Sequence, residues 1–324
     1  MIFVGVDVSK DTFHAAFHQG AGKHLIREFA NKLNGFVELE QWVTSLGEAP
    51  VAVAMESTGR YQEPLADFCF ERCWQTFVLN PRHTALFARI FSQNKTDRSD
   101  ASSIETMLRT QFAEGHFRAY VPSSEQEREL RALGKRCSQL DEMIRRERNR
   151  QGSAQRHETH FQASLERVIA LLEQEREQVE TQLKEIIRQD KEMRELMKLL
   201  LSVPGCGPKL ARMCLMELSR LREMSSAKSL TAWLGLAPRQ RQSGTSIHSR
   251  PSITPRKDND FRRVLYMAAV STQRTSAWAS WIGSRKERKQ GKSLIVAIMD
   301  KLARILFGVI KHNRPFDPKL TFPA

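Results

Sequence analysis

Cysteine is scarce in this chain and unpaired in pattern. Its five thiols, Cys69, Cys73, Cys137, Cys206 and Cys214, form no CxxC pair and have no histidine at finger spacing, which excludes a disulfide framework and a zinc finger. Nor is there an apolar run of the roughly eighteen residues that a membrane span needs. The opening MIFVGVDVSKDTF carries Asp7 and Lys10 where a signal peptide would be apolar, so the expectation is a cytoplasmic protein with no membrane partner. Glycine (16) and proline (12) are too few for a collagen-like or low-complexity chain, and 40% hydrophobic residues over 324 positions suffice for two or three packed cores.

The last third is short of acid. Residues 1–120 hold 12 Lys/Arg against 14 Asp/Glu and residues 121–200 hold 16 against 16, but residues 201–324 hold 23 against 7. The whole net charge of +14 therefore sits at one end. Such asymmetry is the footprint of a polyanion partner, and nucleic acid is favoured because each neutralised phosphate releases counterion. A membrane surface fits less well, since no basic amphipathic helix with a broad Trp/Leu face accompanies the charge.

Periodicity divides the chain in three. Residues 1–120 read as α/β. Ile2, Val4, Val6 and Val8 alternate as a strand, Phe13, Ala15 and Phe17 continue after a Ser-Lys-Asp turn as a hairpin partner, VAVAME (51–56) is a second strong strand ending at Glu56, and Phe77–Leu79 is a short buried one. Helices are expected around 36–42, 61–73 and on both sides of the polar patch SQNKTDRSD. Residues 121–200 read as an antiparallel coiled-coil arm reversing near Gly152. Leu165, Leu172, Val179, Ile186, Met193 and Leu200 occupy every d position of one long helix, while Arg176 and Asp190 interrupt the a row. Self-association is the expected use of such an arm. Residues 201–324 read as a mainly helical, basic domain in which VPGCGPKLA sets Gly205 and Gly207 before a helix, an arrangement able to hold phosphate. The segment 237–260 reads as a polar, basic loop.

Carboxylates stand in three places where structure alone gives little reason for them. Asp7 interrupts an apolar strand, Glu56 ends another, and Asp97 and Asp100 share one helical face. Converging, the four would make an oxygen-rich cradle for Mg²⁺ or Mn²⁺, suited to polarising a phosphodiester. The alternative for Asp97 and Asp100 is charge complementing a helix dipole. In the basic loop, Ser243 lies beside Gly244 and between Arg239, Arg241 and Arg250, so a hydroxyl is set among guanidinium groups that can pair phosphate oxygens. The residues themselves do not choose between Ser243 and Ser246, and a solvated turn is the plain alternative. Lys95, Lys209, Arg262 and Arg263 are further candidates for nucleic-acid contact.

The segments GVDVSKDTFHAAF, AMESTGRY, NPRHTALFARIFSQNKTDRSDA, VPGCGPKLA, GLAPRQRQSG and FRRVLYMAA, in this order over essentially the whole chain, resemble the DEDD-type transposases of insertion sequences. That family also contains the Piv DNA invertase and bridge-RNA-guided recombinases. The resemblance implies an RNase H/RuvC-like domain over 1–120, a coiled-coil arm over 121–200 and a transposase domain over 201–324. It implies that Asp7, Glu56, Asp97 and Asp100 are metal ligands and that Ser243, the serine preceding Gly, links covalently to DNA. Element ends and a target as double-stranded DNA, a structured noncoding guide RNA, and a dimer or tetramer are implied as partners. The expected activity is a DNA transposase or site-specific recombinase. The alternatives are a metal-dependent junction-resolving nuclease, or a DNA invertase of the same family.

Overall fold

A computed structural model describes residues 1–57, 59–91, 97–115, 117–155, 158–239, 242–243, 247–248, 252–253, 260–286 and 289–321. The chain divides into two compact units, Met1–Pro122 and Ser123–Ala324.

The first unit is built on five strands: β1 (Ile2–Val8), β2 (Thr12–Gly20), β3 (Lys23–Ala30), β4 (Val51–Glu56) and β5 (Gln75–Leu79). Their order in the sheet is β3-β2-β1-β4-β5, antiparallel from β3 to β1 and parallel from β1 through β5. Four helices accompany them: α1 (Leu33–Thr44), α2 (Glu63–Glu71), α3 (Pro81–Phe91) and α4 (Asp97–Gln111). The period of two in the sequence sorts the two faces. Val4, Val6, Phe13, Val53 and Met55 point to α1 and α2, burying Phe36, Leu39, Trp42, Leu65 and Phe68. The small residues of the other face, Ala52 and Ala54, lie with Phe3, Phe77 and Leu79 under Ile104, Met107 and Leu108 of α4. Strand β3, which the sequence analysis did not anticipate, has little apolar alternation because it lies at the sheet edge and buries only Phe29 fully.

The second unit is helical. Helix α5 (Glu125–Ser153) is N-capped by Ser124, whose hydroxyl accepts from the Glu127 amide at 3.1 Å. It runs antiparallel to α6 (Thr159–Gln189): Arg148 meets Glu173, and about two turns back along α5 Asp141 meets Arg176. The expected single helix through Leu200 is two. Asp190, one of the residues interrupting the a row, adopts an extended backbone and caps α7 (Lys191–Leu201) by accepting from the Met193 amide at 2.8 Å. Met193, Leu196 and Leu200 then enter the main core instead of prolonging a seam. That core gathers α8 (Pro208–Met216), α9 (Leu218–Glu223), α10 (Ala227–Trp233), α11 (Asp260–Thr272), α12 (Ala279–Lys286) and α13 (Lys292–His312), with α14 (Pro318–Thr321) beyond. The apolar stripe of α13, from Leu294 through Ile298, Leu302 and Leu306 to Ile310, is its axis. Within the basic loop, β6 (Pro238–Arg239) pairs with β9 (Ser252–Ile253), and β7 (Gln242–Ser243) pairs with β8 (Ile247–His248). Among the described residues no helix is long and apolar enough to cross a membrane.

Candidate active site

Two of the four predicted carboxylates are neighbours by strand register. Val6 pairs with Met55 in the parallel β1/β4 ladder, so the next positions, Asp7 and Glu56, stand side by side at the carboxyl ends of adjacent strands and on one face of the sheet. Parallel sheets commonly bind their ligands at this end. The face is the one α4 covers. Helix and strand run in opposite directions, because Phe3 meets Phe112 just beyond the end of α4 at 5.2 Å between ring centroids, whereas Gly5 faces Ala101 and Glu105. The same antiparallel course carries the next position on this face of the strand, Asp7, toward the N-terminal end of α4, the end whose first turn contains Asp97 and Asp100. Gly5 makes this approach possible. A Cβ there would stand 2.1 Å from the Glu105 amide nitrogen and 2.3 Å from the Ala101 carbonyl oxygen, so the helix backbone occupies the space a side chain would need.

Two supporting groups were not singled out from the sequence. Thr84, buried on α3, donates its hydroxyl to Glu56 Oε2 at 2.5 Å and to the Pro81 carbonyl at 3.1 Å, fixing one carboxylate oxygen of Glu56. Glu105 on α4 is fully buried. Its carboxylate accepts from Arg109 Nε at 3.0 Å and shares a hydrogen bond with His24 Nε2 on β3 at 2.8 Å, so α4 is tied to the edge strand of the sheet. For Thr84 the available signal was the position itself, a hydroxyl in the first turn of the helix that follows the third parallel strand. For Glu105 it was an acid on the helix face that also presents Ala101, Ile104 and Leu108.

As a set of hard oxygen donors on two strand ends and one helix face, the four carboxylates fit a Mg²⁺- or Mn²⁺-type ion in chemistry. The side chain of Asp97 lies outside the described residues, and among the described residues no three acidic, histidine or cysteine groups are already gathered as an ion-holding cluster. Burial raises Cys69 and Cys214 well above the ordinary range and pushes Cys206 up to about 12.

In the second unit Ser243 ends β7 and pairs with Ile247, which places its backbone at the base of a hairpin. Its side chain, the connecting residues with Ser246, and Lys95, Arg241 and Arg250 lie outside the described residues, as does the side chain of Arg239. Lys209 and Arg263 line a cleft of about 500 Å³ together with Gly205, Gly207, Arg145 and Ser271. Both are held by acids: Lys209 Nζ by Asp141 at 2.8 Å and Arg263 by Asp260 at 3.0 Å. Arg262 is half-buried on α11.

Residues 4–154 match the family described as Transposase of the DEDD IS110 type, and residues 197–281 match the family described as Transposase IS116/IS110/IS902. The chain belongs to the IS110-type transposases. The first match contains all four carboxylates and the second contains Ser243, Lys209 and Arg263. This transposase is 29% identical, over 98% of both chains, to the pilin gene-inverting proteins of Moraxella bovis and Moraxella lacunata. It is 26% identical over 48% of its length to the insertion element IS110 uncharacterized 43.6 kDa protein of Streptomyces coelicolor, covering 38% of that chain.

Proposed function

We propose that this transposase cuts and rejoins DNA at element ends and a target with two groups of residues, a four-carboxylate metal site and a serine nucleophile. The observation that carries the reading is the register that sets Asp7 beside Glu56 on the face covered by α4, with Gly5 admitting the helix that bears Asp97 and Asp100. The strand order and this placement support an RNase H/RuvC-like unit over 1–120. The paired helices α5 and α6 support a coiled-coil arm for the part of 121–200 that precedes Asp190, and the basic residues support a transposase domain over 201–324.

Asp7, Glu56, Asp97 and Asp100 would hold Mg²⁺ or Mn²⁺, which when bound supplies charge stabilisation to a phosphodiester under attack. Thr84 orients Glu56. Ser243 Oγ attacks phosphorus, forming a phosphoserine ester as one deoxyribose oxygen of the strand leaves. A deoxyribose hydroxyl of the new partner strand then attacks the ester, releasing the serine, and no nucleotide cofactor is consumed. Arg239, Arg241 and Arg250 would grip phosphates beside the serine, and Lys95, Lys209, Arg262 and Arg263 would extend the contact. A structured noncoding guide RNA is the second polyanion this charge would serve. The arm would join copies into a dimer or tetramer, for which its exposed stripe of Phe161, Val168 and Leu171 is suited.

The full-length match to two pilin gene-inverting proteins favours inversion as a second outcome of the same chemistry. Sequencing the DNA that flanks the gene separates the two: paired inverted sites indicate inversion, element ends with a noncoding interval indicate insertion.

Asp7→Asn and Glu56→Gln should abolish cleavage while folding and DNA binding persist; wild-type cleavage by either defeats the metal site. Ser243→Ala should lose the covalent protein–DNA adduct, with Ser246→Ala much milder. An adduct that survives in Ser243→Ala but disappears in Ser246→Ala moves the nucleophile, and no adduct in the active wild type returns the enzyme to a hydrolytic junction-resolving class.

A further inference from the structure

The STGRY segment after Glu56 has so far been given no role. It follows β4, and the Ser9–Asp11 turn follows β1, so the two loops leave the sheet directly beyond the neighbouring positions of Asp7 and Glu56. One side chain ties them together. Asn31 Nδ2 donates to the Ser9 carbonyl at 2.9 Å and to the Tyr61 carbonyl at 3.1 Å, while the Asn31 amide donates to the Asp11 carbonyl at 2.8 Å. The first loop is closed on itself as well, by the Ser9 amide and hydroxyl donating to the Thr12 carbonyl at 2.9 and 2.7 Å. In the second, Gly59 takes a left-handed backbone, φ +74°, which only glycine adopts without strain. Gln62 behind it is buried and donates to the Gly59 carbonyl at 3.4 Å.

The product of this scaffolding is exposure. Tyr61 is 48% exposed, and Lys10 and Arg60 are exposed beside it. An exposed aromatic ring on one loop, with one exposed cation next to it in sequence and another on the loop tied to it, suits a nucleic-acid strand whose base stacks on the ring and whose phosphates meet the charges. A duplex keeps its base faces stacked and offers none to a ring. A strand being handed from one partner to another must unpair near its end.

We propose that Lys10, Arg60 and Tyr61 form a strand shelf, Tyr61 stacking an unpaired nucleobase of the DNA next to the reacting phosphate, with Asn31 as the positioning residue that sets the two loops. The location relative to the reaction rests on the carboxylate reading above; the stacking itself does not.

The test uses the full chain and a single-stranded oligodeoxythymidine carrying one 5-iododeoxyuridine, a base that photocrosslinks to a stacked aromatic ring. The crosslink should map to Tyr61, disappear in Tyr61→Ala, persist in Tyr61→Phe and fall several-fold in Asn31→Ala. Removing both charges, Lys10→Gln with Arg60→Gln, should lower the salt slope of binding by about 0.7 per charge. Annealing the probe to its complement should suppress the crosslink. A yield unchanged by Tyr61→Ala, a crosslink mapping elsewhere, or equal yields from single strand and duplex would each overturn the shelf. Asp7→Asn should crosslink like wild type. If Asp7→Asn also cleaves like wild type, the carboxylate reading fails and the shelf stands; if Asp7→Asn is inactive and wild type gives no crosslink at Tyr61, the shelf alone fails.

Discussion

The contact between Thr84 and Glu56 is a single hydrogen bond at 2.5 Å between a buried hydroxyl and a half-buried carboxylate. Supporting bonds of this kind orient an acid that must hold an ion, and their loss typically reduces metal affinity or activity about 10–100-fold. Thr84→Val should therefore raise the Mg²⁺ concentration needed for cleavage by about that factor, whereas Thr84→Ser should restore most of it; a metal titration of cleavage rate reads the difference. Asp7 and Glu56 were legible in the sequence because a charge inside or at the end of an alternating apolar strand has few structural uses. Thr84 was not, since a lone threonine inside a helix carries no periodicity or charge that marks it. Ser243 was legible only as one of two hydroxyls in a basic loop, and the resemblance to the transposases, not the residues, chose it.

At the scale of elements, the close seating of α4 on β1 is the feature most exposed to a single substitution. Gly5→Ala would drive a methyl into the helix backbone, at a cost of about 3 kcal/mol for an overpacked, unyielding site. Denaturant unfolding should register the loss, and faster hydrogen exchange at the β1 and α4 amides should localise it. In the helical unit Asp141 ties α5 to α6 through Arg176 at 2.6 Å and to α8 through Lys209 at 2.8 Å. Burial raises its carboxyl, but the hydrogen bonds from Lys209 and Arg176 outweigh burial and hold it below the ordinary value. A folded-state pKa so depressed contributes stability above the unfolded-state value and loses it as pH falls through the folded one. Asp141→Asn should accordingly lower the unfolding temperature at neutral pH, with the gap to wild type closing below about pH 4. Strands β1, β2 and β4 were readable from alternation and α5 and α6 from their heptads. The break at Asp190 was visible as an interrupted a position, yet a heptad count alone treats a polar a residue and a helix end alike.

For the whole molecule, charge distribution gave more than any motif. With the last third carrying 23 basic against 7 acidic residues, DNA binding should weaken steeply with salt, and Ser243→Ala should keep that dependence while losing strand transfer. Filter binding across a salt series measures the first, and a joint-product assay the second. Replacing Val168 and Leu171 of the arm by Glu should lower the particle mass seen by light scattering; an unchanged mass would leave the arm an element internal to one chain. Exposed Val168 and Leu171 are the informative positions, because Val179, equally prominent in the heptad, is already buried within the single chain.

The antiparallel course of β1 and α4 also has a consequence in time. The first strand of the unit and its last major helix supply opposite sides of the proposed carboxylate set, so a ribosome-bound chain that has completed β1, β4 and β5 still has no means of assembling it. Contacts this distant in sequence form late. By the proposed carboxylate set, this transposase would stay unarmed until α4 is made, and a chain truncated before α4 would be released with Gly5 uncovered and only two of the four acids in place.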